Sequence, residues 1–110
     1  MPKYVSFFTY TPEAWKAMAE NPQDRGAVAK SLVESVGGKL ECFYWMSGAF
    51  DGLLIADLPD EQSAGALAAV VKGSGALKEY ETHLVSNMEQ VPAMLKKAQA
   101  AAKSYRPPGR

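Results

Sequence analysis

His83 is the chain's single histidine, and histidine is the side-chain type whose unperturbed charge change falls near neutral pH. Glu81 lies two residues before it in a segment, Leu77 to Ser86, that reads as a strand. Residues two apart on a strand point to the same face. The Glu81 carboxylate can therefore orient the imidazole, and the pair is suited to abstract a proton or steer a small ligand. Asp51, at the end of a short loop, is a third candidate, as an acid, a base or a ligand contact at the rim of a cleft. Tyr44, on the preceding apolar run, is a fourth candidate for the wall of a ligand pocket.

Each of these residues also has a plainer reading. A histidine on a strand edge or a dimer seam is often only hydrogen-bonded, and a titratable pair without a nucleophile or metal beside it is a weak mark of catalysis. Asp51 follows Gly48-Ala49-Phe50, where glycine admits a left-handed turn and aspartate bonds turn amides. Phe50 reads as a packed aromatic. One histidine and one cysteine, Cys42, fall short of the ligand set of a zinc site, so no metal is expected. Gly73-Ser74-Gly75 lacks the lysine and spacing of a phosphate-binding loop and reads as a helix stop.

Twelve basic and twelve acidic residues among 110 leave no net charge, which removes the long-range pull of a dedicated nucleic-acid or anionic-membrane binder. The aromatic run Phe43-Tyr44-Trp45 invites comparison with sheets that stack RNA bases. Asp51 to Leu58 supplies Asp, Leu and Ile where such a sheet needs basic and aromatic residues, so no nucleic acid is expected. No apolar run approaches 18 residues, which argues against a transmembrane helix and a membrane partner. The start, Met1-Pro2-Lys3-Tyr4, carries no signal-peptide pattern, and a lone Cys42 requires no oxidising compartment. A cytoplasmic setting is the expectation.

The elements that must position these residues follow from periodicity and punctuation. Tyr4 to Tyr10 reads as a strand, ended by Thr11-Pro12, an N-cap and first helical position. Trp15, Met18 and Ala19 form one face of the helix that follows and should pack it on the sheet. Asn21-Pro22 restarts a helix with Val28, Leu32 and Val36 inward and Gly37-Gly38 as its stop. Lys39 to Met46 and Asp51 to Leu58 form a hairpin across Ser47-Gly48-Ala49-Phe50. Asp60 opens a helix with Ala64, Leu67, Ala68 and Val71 on one stripe. Leu77 to Ser86 is the fourth strand. Asn87-Met88-Glu89-Gln90 resembles a capping box that starts a closing helix with Val91, Met94, Leu95 and Ala98. Residues 1–103 then form one domain, and 104–110, with Pro107-Pro108-Gly109, a mobile tail.

This order is the split βαββαβ arrangement of ferredoxin-like α+β folds: a four-stranded antiparallel sheet with both helical crossovers on one side, plus a C-terminal helix. A wetted second face should alternate apolar with polar residues. Instead Val5 and Phe7 alternate with Tyr4, Phe8 and Tyr10, while Leu40, Cys42, Tyr44 and Met46 alternate with Phe43 and Trp45. The second face needs a cover, and a second copy of the same sheet is the most economical one.

Gly48-Ala49-Phe50-Asp51, leading into Gly52-Leu53-Leu54-Ile55, resembles the motif that names the GYD domain family. Similar too are the opening Pro2-Lys3-Tyr4-Val5, the Thr11-Pro12-Glu13 helix start, Gly37-Gly38-Lys39-Leu40 before the second strand, and Glu81-Thr82 in the fourth. The resemblance runs from about Pro2 to Leu95. Phe50 stands where the family has its name-giving Tyr, so no phenol hydroxyl acts from that position. The resemblance implies a dimeric α/β barrel. It sets no biochemical activity and no cofactor; analogy with other dimeric α/β barrels adds only a haem-linked role as a remote option.

Two classes of function follow. In the first, a homodimer binds a small molecule in a pocket between sheet and helices, with His83, Glu81, Tyr44 and Asp51 as contacts and cofactor-independent catalysis as an extension. In the second, the chain is a non-catalytic homo-oligomeric interaction module whose sheet face serves assembly.

Overall fold

A computed structural model describes residues 1–109. Along the chain it contains β1 (Lys3–Tyr10), α1 (Pro12–Glu20), α2 (Arg25–Ser35), β2 (Lys39–Trp45), β3 (Gly52–Asp57), α3 (Glu61–Gly73), β4 (Leu77–Val85) and α4 (Val91–Ala101). Single 3-10 turns, Met88–Gln90 and Ala102–Ser104, flank α4. The strands form one antiparallel sheet in the order β2-β3-β1-β4. This is the ferredoxin-like α+β arrangement expected from the element order. Of the expected tail, Ser104 closes the second 3-10 turn and Arg110 lies outside the described residues.

Local chemistry sets the boundaries. Thr11 Oγ1 accepts the Ala14 amide at 3.1 Å and opens α1, while the Thr11 amide donates to the Ala76 carbonyl at 2.9 Å, tying this corner to the start of β4. The second helix begins later than Asn21-Pro22 suggests. Asn21 closes α1, and Asp24, accepting the Ala27 amide at 3.2 Å, caps α2. Val33 is the buried residue of α2, Leu32 and Val36 pack beside it as expected, and Val28, though exposed, lines the apolar space between the helix and the sheet. The Gly37 and Gly38 amides donate to the carbonyls of Glu34 and Val33, closing the helix as the Gly-Gly stop requires.

Asp60 accepts both the Ser63 hydroxyl, at 2.7 Å, and the Ser63 amide, at 2.8 Å, at the start of α3. These two bonds hold its carboxyl below the ordinary value of 3.8. A carboxyl depressed in the folded state adds stability above its unfolded value and loses it as pH falls through the folded one. Asp60→Ala should therefore lower the urea midpoint at about pH 7, and the gap between variant and wild type should narrow as pH falls below the ordinary carboxyl value of 3.8. A gap that stayed constant as the carboxyl is protonated would contradict the cap's electrostatic role.

Helices α2 and α3 cover one sheet face. Tyr4, Ala56, Leu58, Val33 and Leu67 form the buried cluster there, with Leu40, Leu54 and Ala64 against it. This is a thin core for a chain of 110 residues. Neither α1 nor α4 buries a residue. Trp15 therefore departs from the expected packing role. It is 39% exposed and meets the ring of Tyr10 edge-on at 5.3 Å. The capping box at Asn87 and Gln90 forms as expected, but the helix behind it does not close onto the sheet, and Met94 and Leu95 are exposed. The radius of gyration is 18.0 Å, against about 13 Å for a compact domain of this length. The excess reflects α4 projecting from the body as an arm.

Candidate functional site

Strand parity divides the candidate residues between the two faces of the sheet. On β1, Tyr4, Ser6 and Phe8 are buried beneath the helices. Ser6 bonds the Tyr80 hydroxyl at 3.2 Å and the Thr82 hydroxyl at 2.8 Å, which turns those β4 residues to the same side. Val5, Phe7, Glu81 and His83 consequently share the opposite, open face. A register shift in β2 between Leu40 and Cys42 puts Cys42 and Tyr44 on that face as well. Two cross-sheet rows result: Cys42, Ile55, Val5 and His83, and beside it Tyr44, Leu53, Phe7 and Glu81. Phe50 lies against Phe7 with ring centroids 5.5 Å apart. At one end Lys3 bridges Glu41 and Asp57.

His83 Nε2 and Glu81 Oε2 are 2.9 Å apart, and both side chains are more than half exposed. The Phe7 ring stands edge-on to the imidazole at 6.4 Å. Tyr44 lies on the other edge strand, about 14 Å away across the sheet, so it is not brought to the His83–Glu81 pair. Neither His83 nor Glu81 lines the space between sheet and helices. The expectation that they form one wall of a pocket there is thus corrected: they belong to the opposite face.

Asp51 has a different position. Its Oδ2 accepts the Tyr10 amide at 2.8 Å and the Trp15 indole N–H at 3.2 Å, and its own amide donates to the Phe8 carbonyl at 2.8 Å. The hairpin loop is thereby fastened to the end of β1 and to α1. Gly48 takes a φ of +110° within this loop. A Cβ on Gly52 would stand 2.5 Å from the Phe8 ring and 2.9 Å from the Tyr44 carbonyl, so only glycine fits there.

Asp51 and Tyr44 both line an aromatic cavity of about 150 Å³, together with Phe8, Tyr10, Trp15, Phe43 and Trp45. A second, apolar cavity of about 100 Å³ lies between the sheet and helices α2 and α3, against Leu32, Val33, Leu54 and Leu67. The two share Phe8, Tyr10, Phe43 and Arg25 as walls, forming one cleft. Phe8 and Phe43 stack at 5.6 Å, 21° from parallel. Burial pushes the Tyr10 phenol above its ordinary range; the Arg25 guanidinium opposes this push and the Asp51 carboxylate adds to it. Arg25 Nε is buried without a hydrogen-bond partner.

Arg25 and Tyr10 are the cleft residues that sequence reasoning missed. Tyr10 reads only as the end of a strand, and nothing in the sequence singles out Arg25. Their proximity arises because the end of β1 meets the start of α2, which no local pattern announces.

Residues 4–95 match the family model described as the GYD domain. No curated protein matches the sequence. Among solved structures, the chain is similar to one described as the crystal structure of FFRP-DM1, at 9% identity and a TM-score of 0.53, covering 78% of this chain and 100% of that one. At that identity the likeness shows the fold alone.

Proposed function

The chain belongs to the GYD domain family, and on that footing we propose that it is a small-molecule binding protein acting as a homodimer. The cleft carries the binding half of this reading. Core packing in a well-filled domain leaves few voids larger than a water, whereas here two adjoining cavities of about 100 and 150 Å³ open between sheet and helices. Their walls are apolar and aromatic with a few polar groups, the usual make-up of a ligand pocket. Saturating toluene should move the methyl resonances of Leu32, Val33 and Leu54 and quench tryptophan fluorescence, since Trp15 and Trp45 line the cleft. No response at either probe would refute it.

The dimer half rests on the open face, where Val5, Phe7, Leu53 and Ile55 form an apolar patch across the two central strands. The exposed Met94 and Leu95 of α4 extend the apolar surface that the chain leaves uncovered. In this arrangement His83 and Glu81 border the seam between copies, and Asp51 borders the cleft. The same uncovered surfaces favour the alternative of an interaction module without a ligand, which is the reading that stands if the dimer forms and the cleft stays closed to toluene. Among the described residues no helix is long and apolar enough to cross a membrane, and a cytoplasmic location completes the proposal.

A further inference from the structure

We infer that the cleft selects a single-ring aromatic monocarboxylate, with the ring against Phe43 and Trp15 and the carboxylate on the Arg25 guanidinium. This rests on the reading that the cleft binds a small molecule, and adds which chemical class it takes. Arg25 lines both cavities; its guanidinium meets the Tyr10 phenol, but its Nε is buried and unpartnered, and among the described residues it forms no ion pair. A buried donor left unmade is unfavourable, more so on a charged group. Arginine's planar fork matches a carboxylate with two parallel hydrogen bonds.

The nearby acids do not supply that acceptor. Asp24 Oδ1 is bonded to the Ala27 amide, and Asp51 Oδ2 to Tyr10 and Trp15. Glu20 lies farther along the rim, in a neighbouring depression that Arg25 also borders. Their charges disfavour a phosphate dianion more than a monoanion. Size and wall chemistry set the rest: a cavity of about 150 Å³ has the volume that takes one benzene-sized ring, and the stacked Phe8–Phe43 pair with the edge-on Tyr10–Trp15 pair gives it aromatic walls.

Benzoate and benzyl alcohol share the ring and differ in charge, so tryptophan fluorescence titrations with each, backed by the Arg25 Nε–H resonance, test the inference on the intact chain. Benzoate should bind at least about tenfold tighter than benzyl alcohol to wild type, a difference of about 1.4 kcal/mol. Arg25→Gln, by weakening benzoate binding far more than benzyl alcohol binding, should erase that preference. Arg25→Lys, which keeps the charge without the fork, should lose most of it and serves as the second variant if Arg25→Gln does not fold. Equal binding of the two probes to wild type, or a preference that survives Arg25→Gln, overturns the carboxylate inference while leaving the cleft reading intact. Failure of both probes to perturb the cleft overturns the binding reading itself.

Discussion

At micromolar concentration the protein should sediment at about twice 11.9 kDa, and Ile55→Glu should convert it into a folded monomer. Ile55 sits on β3 between Cys42 and Val5 in the open-face row, so a two-fold arrangement of sheets places it near the centre of the contact. An obligate interface of this kind buries about 2,000 Å² or more, and its centre is dry. The substitution sets a carboxylate there beside Asp57, two residues along the same strand, with no added cation to meet it. Because a two-fold interface contains every residue twice, two unpaired carboxylates are introduced. At about 3 kcal/mol each they weaken association by about 10⁴-fold. In the monomer the same side chain points to water, so circular dichroism should remain that of the wild type. Wild-type protein at 11.9 kDa, or a variant that stays dimeric, contradicts the sheet-face dimer.

Those open-face residues also show why part of the structure was legible in the sequence. Strand and helix order follow from signals within a few residues: Thr11-Pro12, Gly37-Gly38, the hairpin glycine and Asp60 each punctuate the chain by local hydrogen bonding or backbone freedom. The contact between Glu81 and His83 is likewise local, set by the two-residue period of a strand. Which face that pair occupies is not local. It depends on Ser6 meeting Tyr80 and Thr82, a pairing across about seventy-five residues of chain.

The burial of α1 has the same origin. Trp15, Met18 and Ala19 recur at helical spacing, and such a stripe normally marks a core face, but α1 sits over the end of the sheet, where Trp15 and Met18 border the aromatic cleft instead of a filled core. On α2 the expected stripe holds, with Leu32 and Val36 against the core and Val28 on the cleft wall, while the buried centre falls at Val33. Arg25 could not be identified at all, because the features that make it a site residue, a missing partner and shared cavity walls, exist only once β1 and α2 are packed together.

Asp51→Ala should lower stability by about 2 kcal/mol, or about 10 °C in Tm for a chain of this size, while Asp51→Asn should cost less than half of that. The argument is one of acceptors. In the wild type a single oxygen, Oδ2, receives the Tyr10 amide and the Trp15 indole. Alanine leaves the part-buried amide unpartnered, which is the costly loss; the indole lies near solvent and recovers a bond to water. Asparagine keeps a carbonyl oxygen that can meet the amide. The two variants also separate a fastening role from a chemical one. If Asp51 chiefly pins the Gly48–Asp51 loop to β1 and α1, Asp51→Asn retains the wild-type Trp15 fluorescence and binds benzoate more tightly, because a negative charge has left the rim that Arg25 shares. If the carboxylate itself contacts a ligand as acid or base, Asp51→Asn should instead bind or process ligand as poorly as Asp51→Ala despite its higher stability. Thermal melts and benzoate titrations on the same two proteins decide between these outcomes.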